Sequence, residues 1–375
     1  MTRRAFSGPQ WPDSAQAELL RTVLCDGDVA ISAWRRWRAL VPFDAIDGAS
    51  LALMPLVGKR LRRLGYEDDA MPRIRGIARQ TWLRNRVLVA AALSAYAALQ
   101  ADGIRTLALK GLVLSAAYVD DFSLRPMGDV DLLVRPSDLR AALDVLGGIG
   151  WASSSTRSLD RTLALTHEVT LARGHSEVVD LHFRSIEQAW GPRQDDGLWA
   201  RTRPAPIDGV QVLSPSPTDL LFHILVHGVR GYPERNIRWV VDAAMILGSG
   251  DAIDWQQLER SAIDCGLTEA TAAALAYLDR WSMPIPGETV RRLGSRRPSL
   301  AERVERDLGG RQTTALWYLR FDAANYLRKS SGWPVHRRLG GLGLYLGAQW
   351  GVPANRVPQE VITRSLRRLA HARTG

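Results

Sequence analysis

Residues 125–134 read Arg-Pro-Met-Gly-Asp-Val-Asp-Leu-Leu-Val, and this stretch decides the fold. Its second half is a run of apolar residues typical of a buried strand. Residues two apart on a strand share one face, so Asp129 and Asp131 point the same way, whereas Val130 and Leu132 point into the core. Two adjacent carboxylates repel each other, and one takes up a proton unless a cation lies between them. Because Mg²⁺ prefers oxygen ligands, the pair predicts a metal site. Replacing either aspartate by alanine would remove the repulsion, and we expect this to stabilise the metal-free protein.

A second predicted strand supplies a third carboxylate. In Val178–Phe183, apolar residues alternate with Asp180 and His182, which therefore share one face. Asp180 on a strand beside the first pair would complete a site for two metal ions about 3.5–4 Å apart. His182 is interpreted either as a substrate contact or as a partly buried helper of Asp180.

Phosphate-binding candidates precede the carboxylates. The sequence Leu107-Ala-Leu-Lys-Gly111 places a strand directly before a helix. Gly111 would let the backbone approach a phosphate, and the helix would offer its free N–H groups. Lys110, one of three lysines in the chain, adds a point charge for a triphosphate. Arg125 either forks onto phosphate oxygens or forms an ion pair with a nearby aspartate.

Helical periodicity dominates the residues before this unit. Apolar positions at helical spacing predict helices over Ala17–Leu24, Val29–Leu40, Leu51–Leu64 and Ile74–Leu99. Gly65 and Gly103 are predicted to end two of them.

Between residues 104 and 212 the period changes to that of an α/β unit. Strands are predicted at Arg105–Leu109 and Val130–Val134, helices at Leu112–Tyr118 and Pro136–Leu146, and a hairpin at His167–Ala172 and Val178–Phe183. These elements make a mixed sheet with flanking helices.

The chain is therefore divided into a helical region at 1–103, a core at 104–212 and a second helical region at 213–375. In the last region, Ser216 and Asp254 are predicted helix N-caps. The fold class is α/β (α+β), with a mixed-sheet core wrapped by helices from both ends of the chain.

Composition excludes several classes of protein. The chain is 46% hydrophobic and 23% charged, which is typical of a folded domain. It has no run of about eighteen apolar residues, which argues against a membrane-spanning helix. Met1–Arg4 is basic, but no apolar segment of a secretory signal follows it. Cys25 and Cys265 are interpreted as buried thiols of a reducing compartment, so we expect a cytoplasmic protein.

The net charge of +10 does not by itself predict a nucleic-acid-binding protein. Its 49 basic residues are almost all arginines, spread along the chain among 39 acidic residues. No long basic block is present beyond Arg364, Arg367, Arg368 and Arg373 in the tail. We therefore expect no stable complex with nucleic acid, and binding to tRNA that is lost at physiological ionic strength.

Together these segments resemble the uncharacterised bacterial nucleotidyltransferase family, a branch of the DNA polymerase β (minimal nucleotidyltransferase) superfamily. That family carries an L-K-G turn, an R-P-x-x-D-x-D-L-L-V strand and a later V-D-L-H strand. The resemblance extends to Leu221–Gly228 and Arg238–Leu247 and covers residues from about 50 to about 270. The superfamily's usual turn is a hydrophobic residue, Gly, and then Gly or Ser, whereas this chain has Leu109-Lys110-Gly111.

The resemblance implies a metal-dependent transfer of NMP from an NTP to a hydroxyl or amine of an unidentified acceptor, with release of pyrophosphate. Two Mg²⁺ ions, for which Mn²⁺ can substitute, would be held by the three catalytic aspartates 129, 131 and 180. Lys110, Gly111 and Arg125 would bind the phosphates of the NTP, with ATP as the default donor. His227 and Asp242 would line the cleft, and the acceptor would be a small molecule, peptide or protein.

Two alternatives remain open. The same fold could transfer a sugar or another group from a nucleotide-activated donor, or could be a non-catalytic nucleotide- or RNA-binding module. The presence of three carboxylates argues against the last, since a binding module does not need them.

The polar residues after residue 213 also have two readings. His223 and His227 have a spacing that can bind a transition metal, but no Cys or Glu nearby in sequence completes a ligand set, and with Asp219 and Arg230 they resemble a solvated helix face. Arg238 and Asp242 are spaced for an ion pair within one helix.

Overall fold

The computed structural model describes residues 11–155, 157–188, 190, 195–229, 237–306, 315–331 and 333–359. Residues 1–4, Arg230 and the arginines of the C-terminal tail, for which the sequence raised hypotheses, lie outside these ranges.

Helices fill the chain up to the sheet, as predicted. Helices α1 to α5 span Ser14–Leu24, Gly27–Leu40, Gly48–Leu51, Met54–Arg63 and Met71–Ala101. Gly65 and Gly103 follow α4 and α5 with φ of 66° and 75°, left-handed values that glycine adopts without steric cost. The two predicted helix stops are thereby confirmed.

The sheet is six-stranded and mixed, with the order β3-β4-β2-β1-β6-β5. Its strands β1 to β6 span Leu107–Ala108, Val130–Leu133, Glu168–Arg173, Glu177–His182, Arg203–Ile207 and Val210–Ser214. Strand β1 is antiparallel to β2 and parallel to β6, and β2 is parallel to β4. The predicted hairpin is confirmed as β3 and β4, whereas β1 is shorter than its predicted five residues.

The hairpin of β5 and β6 was not predicted. Its two-residue turn is Asp208-Gly209, with φ of 47° and 78°. An Asp-Gly pair between two alternating strands is a strong hairpin signal, because both turn residues need positive φ. The sequence therefore contained a hairpin signal. The two prolines of β5 argue against a central strand, but they are compatible with an edge strand, which β5 is.

Helices interrupt and follow the strands. Within the core they are α6 to α9, spanning Lys110–Leu114, Leu139–Gly148, Leu159–Leu165 and Asp196–Ala200. The predicted helix Leu112–Tyr118 is instead the end of α6 followed by a π-helical turn at Ser115–Val119. The predicted helix at Pro136 begins with a 3₁₀ turn and becomes α7 at Leu139.

The two faces of the sheet have different roles. Val130 and Leu132 of β2 belong to the main hydrophobic core, into which α5 packs from one side. Leu133 belongs to a small separate cluster on the opposite face, together with Trp199 of α9. The aspartates of β2 and β4 share that second face, as the alternation predicted.

The second helical region follows β6. Helices α10 to α17 span Pro217–Val229, Arg238–Gly248, Trp255–Asp264, Thr268–Asp279, Gly287–Gly294, Leu300–Arg306, Ala315–Lys329 and Val335–Trp350. The predicted caps are confirmed: Asp219 N donates to Ser216 Oγ (3.1 Å) and Gln257 N donates to Asp254 Oδ1 (2.8 Å). Helix α10 contacts α6, α11 and α13, which brings the second helical region beside the carboxylate face.

The last helices form a satellite core. Tyr345 and Leu346 of α17 are buried against Tyr326 of α16 and Leu165 of α8, so α17 packs internally on this side. Leu339 and Leu344 on its other side are exposed. Among the described residues, no helix is long and apolar enough to cross a membrane.

Candidate active site

A cavity of about 330 Å³ lies where the sheet meets α6, α10 and α11. Its walls are mostly polar and are formed by Lys110, Gly111, Arg125, Met127, Gly128, Asp129, Asp131, His167, Glu168, Asp180, Ile224, His227, Arg238, Trp239 and Asp242. Eight of the nine predicted site residues line it, and the ninth, His182, is buried in the wall behind it.

Strand pairing aligns the carboxylates. Asp131 of β2 and Asp180 of β4 are directly opposite each other in the parallel register. Asp129 precedes β2 by one residue and lines the same cavity. The sequence therefore predicted correctly that the three aspartates converge.

Lys110 pairs with one of these aspartates. Its Nζ lies 2.7 Å from Asp131 Oδ1, and both side chains are largely buried. Lys110 has a φ of 39°, a left-handed conformation that is costly for a residue with a side chain. Glycine is the residue that ordinarily adopts it, which agrees with the glycine of the usual superfamily turn. Here the strained turn directs a cation onto Asp131.

This ion pair changes the expected electrostatics of Asp131. Although burial opposes ionisation, Lys110 and His182 hold the pKa of Asp131 well below its usual range. The pKa of Lys110 is raised by Asp131 against the effect of its own burial. The expectation that loss of Asp131 stabilises the metal-free protein is therefore revised, because the change would relieve the repulsion on Asp129 but would leave the buried Lys110 without its partner.

The other two aspartates remain unfavourably placed. Burial raises the pKa of Asp129, and the charge of Asp131 raises it further. Burial, together with the charges of Glu168, Asp129 and Asp131, raises the pKa of Asp180 to about 6 against a hydrogen bond from Thr170. Asp180 Oδ1 is buried and has no hydrogen-bond partner within the described part of the chain.

His182 contacts a different carboxylate from the one expected. Its Nε2 lies 2.9 Å from Asp131 Oδ1 and 3.2 Å from Glu168 Oε2, and its side chain is inaccessible to solvent. The hypothesis that it assists Asp180 or touches substrate directly is not supported by this geometry. The reason is the strand register, because His182 pairs with Leu133, two residues further along the strands than the Asp131–Asp180 pair.

Arg125 forms a buried ion pair, but with a residue far away in sequence. Its Nε and Nη2 donate to the two carboxylate oxygens of Asp242 at 3.0 and 2.9 Å. Arg238 Nε lies 3.8 Å from the same carboxylate, and Arg238 also donates to the carbonyl of Pro126. The proposed partners near Arg125 in sequence are therefore wrong, and two guanidinium groups share one carboxylate.

Two small or polar residues position Arg125. A Cβ atom on Gly111 would lie 2.8 Å from Arg125 Nη1, so glycine at this turn makes room for the guanidinium. Asn85, fully buried on α5, donates to the carbonyls of Phe122 and Arg125 at 2.7 and 2.8 Å and accepts from Met127 N at 3.1 Å. The signal for this role was the position of Asn85 on the buried face of α5, at helical spacing from Leu88 and Ala92.

The histidines of α10 are neutral. Burial, with the nearby charge of Lys110, lowers the pKa of His227 to about 3 and that of His223 well below its usual range. His227 lines the cavity as predicted, and His223 is buried instead of lying on a solvated face. Gly228 lets Trp239 of α11 pack closely, since a Cβ atom there would lie 2.1 Å from the indole.

Sequence reasoning missed Glu168 and His167. The hairpin register places Glu168 opposite His182 and Thr170 opposite Asp180. Pairing the predicted strand ends Ala172 and Val178, and extending that register along the hairpin, would have produced the same pairing and with it a fourth carboxylate on the site face. Although burial opposes ionisation, a hydrogen bond from His167 lowers the pKa of Glu168 to about 2, with help from His182 and Lys110.

A mixed sheet with three converging aspartates, beside buried arginines, defines this protein as a nucleotidyltransferase. The chain belongs to the uncharacterised nucleotidyltransferase family, which matches residues 49–282, more than half of the chain. That range agrees with the extent of the resemblance seen in the sequence. No curated protein sequence matches the chain.

Two solved structures are similar to it. The antibiotic-resistance factor ANT(2'')-Ia is 13% identical, with 56% of this chain and 91% of that chain covered and a TM-score of 0.30. An antigenic nucleotidyltransferase-like protein from Paracoccidioides brasiliensis is 17% identical, with 51% and 92% covered and a TM-score of 0.33.

Proposed function

We propose that this protein transfers the NMP group of an NTP to a hydroxyl or amine of an acceptor and releases pyrophosphate. The observation that carries the proposal is the convergence of Asp129, Asp131 and Asp180 in one cavity that Arg125, Arg238 and Asp242 also line. The aspartates suit divalent cations and the arginines suit phosphate.

The carboxylates fit divalent metal ions. The buried Asp180 Oδ1 lacks a hydrogen-bond partner among the described residues, and the raised pKa values of Asp129 and Asp180 reflect charge that a cation would neutralise. We assign all three aspartates as ligands of Mg²⁺, with Mn²⁺ as a substitute. Bound Mg²⁺ would polarise the phosphoryl oxygens and offset their charge.

The arginines that line the cavity fit the phosphates. Arg125 and Arg238 bring two guanidinium groups together at Asp242. Guanidinium groups bind phosphate oxygens through charge-assisted hydrogen bonds. We propose that these arginines and the Gly111 amide hold the outer phosphates. Lys110 would also contact these phosphates once its ion pair with Asp131 is broken.

Proton transfer is assigned to Asp180. A carboxylate that adjoins the attacking group can take up its proton as a general base. Asp180 would accept the proton from the acceptor as its oxygen or nitrogen attacks the α-phosphorus and the bond to pyrophosphate breaks. Alignment of donor and acceptor in the cavity would contribute much of the rate.

We further propose ATP as the donor, a small molecule or peptide as the acceptor, and the cytoplasm as the location. The dispersed charge supports the exclusion of long nucleic acid as a stable partner.

The experiment that tests this function is product analysis. Candidate acceptors chosen from neighbouring genes are incubated with the four NTPs and Mg²⁺, and acceptor mass and released pyrophosphate are measured. The expected product is an acceptor heavier by one NMP group, absent with Asp129→Asn. Transfer of a sugar from a nucleotide sugar, or metal-independent nucleotide binding without any product, would contradict the proposal and support one of the two alternatives.

Lys110→Ala is expected to weaken binding of ATP about tenfold and of AMP much less, because the outer phosphates lose a cation. Calorimetry with both nucleotides in the presence of Mg²⁺ measures the difference. Lys59→Ala, a change at an exposed lysine of α4, is the matched control. Equal losses for ATP and AMP would exclude Lys110 from the outer phosphates.

Arg238→Gln is expected to weaken binding of ATP and of inorganic pyrophosphate about 10–100-fold, since a hydrogen bond to a charged group contributes about 1.5–3 kcal/mol. Arg36→Gln, at a half-exposed arginine paired with Glu18, serves as the control. Unchanged binding of pyrophosphate would show that the phosphates lie elsewhere.

A further inference from the structure

Four side chains of types that can bind metal ions contact one another in series on the face of the sheet that carries the aspartates. His167 Nε2 lies 3.1 Å from Glu168 Oε2, which lies 3.2 Å from His182 Nε2. His182 Nε2 in turn lies 2.9 Å from Asp131 Oδ1. The donor atoms of the two histidines and Glu168 all lie within 4.8 Å of one another.

These separations match a compact coordination site. Zinc binds imidazole nitrogen at about 2.0–2.1 Å and carboxylate oxygen at about 2.0–2.2 Å, so the ligand atoms of a tetrahedral site lie roughly 3.3 Å apart. Neighbouring donors in this chain of contacts are 2.9–3.2 Å apart. Little movement would therefore enclose an ion.

The chemistry of the donors differs from that of the three aspartates. Two imidazoles and a carboxylate form a ligand set typical of Zn²⁺, and imidazole favours transition metals over Mg²⁺. Glu168 and Asp131 together supply two negative charges, and Lys110, which pairs with Asp131, would release it when the ion binds. His167 and Glu168 line the cavity, so an ion can reach them from solvent.

We propose that His167, Glu168 and His182, with Asp131 as the fourth ligand, bind a transition-metal ion of the Zn²⁺ class. His182 supports this assignment because its Nε2 contacts both Asp131 and Glu168, while its buried Nδ1 has no partner within the described ranges. Of the three proposed Mg²⁺ ligands, only Asp131 also belongs to this site. Binding of a transition metal here does not depend on the proposed nucleotidyl transfer.

The test is metal binding by the full chain after removal of bound metals with a chelator. Calorimetry with Zn²⁺ alone and with Mg²⁺ alone should show Zn²⁺ binding at least about 100-fold tighter than Mg²⁺. His167→Ala should weaken Zn²⁺ binding about 10–100-fold or more. His175→Ala, which removes the exposed histidine of the same hairpin turn, should leave it unchanged. Co²⁺ absorption in the visible range should report a four-coordinate site in the wild type and not in His167→Ala.

Equal Zn²⁺ affinity in His167→Ala and His175→Ala would overturn the proposal, as would Zn²⁺ binding no stronger than that of Mg²⁺. If His167→Ala does not fold, as judged by circular dichroism, Glu168→Gln takes its place with the same two outcomes. Asp129→Asn separates the two proposals, because it should impair Mg²⁺ binding and transfer but retain Zn²⁺ binding. Zn²⁺ binding without any nucleotidyl transfer would leave this site standing and reject the proposed function.

Discussion

Asp131→Asn is expected to lower the rate of nucleotidyl transfer about 10³-fold or more and to destabilise the metal-free protein. Loss of transfer follows from the loss of a carboxylate that we assign to the metal ions. Destabilisation follows from the ion pair, because Lys110 would remain buried without its partner. Removing one member of a buried pair costs several kcal/mol, and we expect about 2–4 kcal/mol since Lys110 can turn toward the cavity.

Asp129→Asn is the matched control for this prediction. It should abolish transfer to a similar extent, but it should not destabilise the metal-free protein, since the pKa of Asp129 is raised and its charge is unfavourable. Steady-state kinetics with Mg²⁺ and thermal unfolding with a chelator measure the two effects. Activity within about tenfold of the wild type in either variant would reject the metal-site assignment. Equal stability changes in both would reject the role of the Lys110–Asp131 pair.

Asp180→Asn is expected to lower the rate of nucleotidyl transfer about 10³-fold or more. The same change is expected to raise the thermal stability of the metal-free protein at pH 7. The activity is lost because a metal ligand and the general base are removed together. Stability rises because the folded protein holds a carboxylate whose pKa is raised from 3.8 to about 6. That difference corresponds to at most about 3 kcal/mol at neutral pH, and water around the partly exposed group reduces it to about 1–2 kcal/mol. The melting temperature should rise by about 2–4 °C.

The pH dependence of this stability difference has a defined sign. Below about pH 3, Asp180 is protonated in both the folded and the unfolded chain, so wild type and variant should unfold at the same temperature. As the pH rises from about 4 to about 6, the unfolded chain ionises Asp180 more easily than the folded chain does, and the wild type loses stability. The difference should therefore appear over this range and stay constant above about pH 7. Excess Mg²⁺ should reverse it by stabilising only the wild type.

A difference in melting temperature that is largest below pH 4, or one of opposite sign at pH 7 in chelator, would contradict the assigned environment of Asp180. Thr170→Val offers a further check, because it removes a hydrogen bond that lowers the pKa of Asp180. In Thr170→Val, the loss of stability that Asp180 causes should therefore extend to higher pH than in the wild type.

The sequence by itself determined the sheet strands that carry the site and the face on which the aspartates lie. This was possible because the alternation of a strand is local: Asp131 and Asp180 each lie between apolar residues that must face the core. The helix caps at Ser216 and Asp254 were predictable for the same reason, since a cap involves residues three positions apart. The family resemblance rested on these local patterns and was confirmed over residues 49–282.

Only the tertiary structure decided which charges meet in the cavity. Arg125 and Asp242 are 117 positions apart in the sequence, and Lys110 and Asp131 are 21 apart. No local period specifies such partners, because they depend on how α11 packs beside α6 and on a strained turn at Lys110. Glu168 joins the site because the β3–β4 register places it opposite His182. Local periodicity orients a side chain, whereas packing between distant segments selects the group that it contacts.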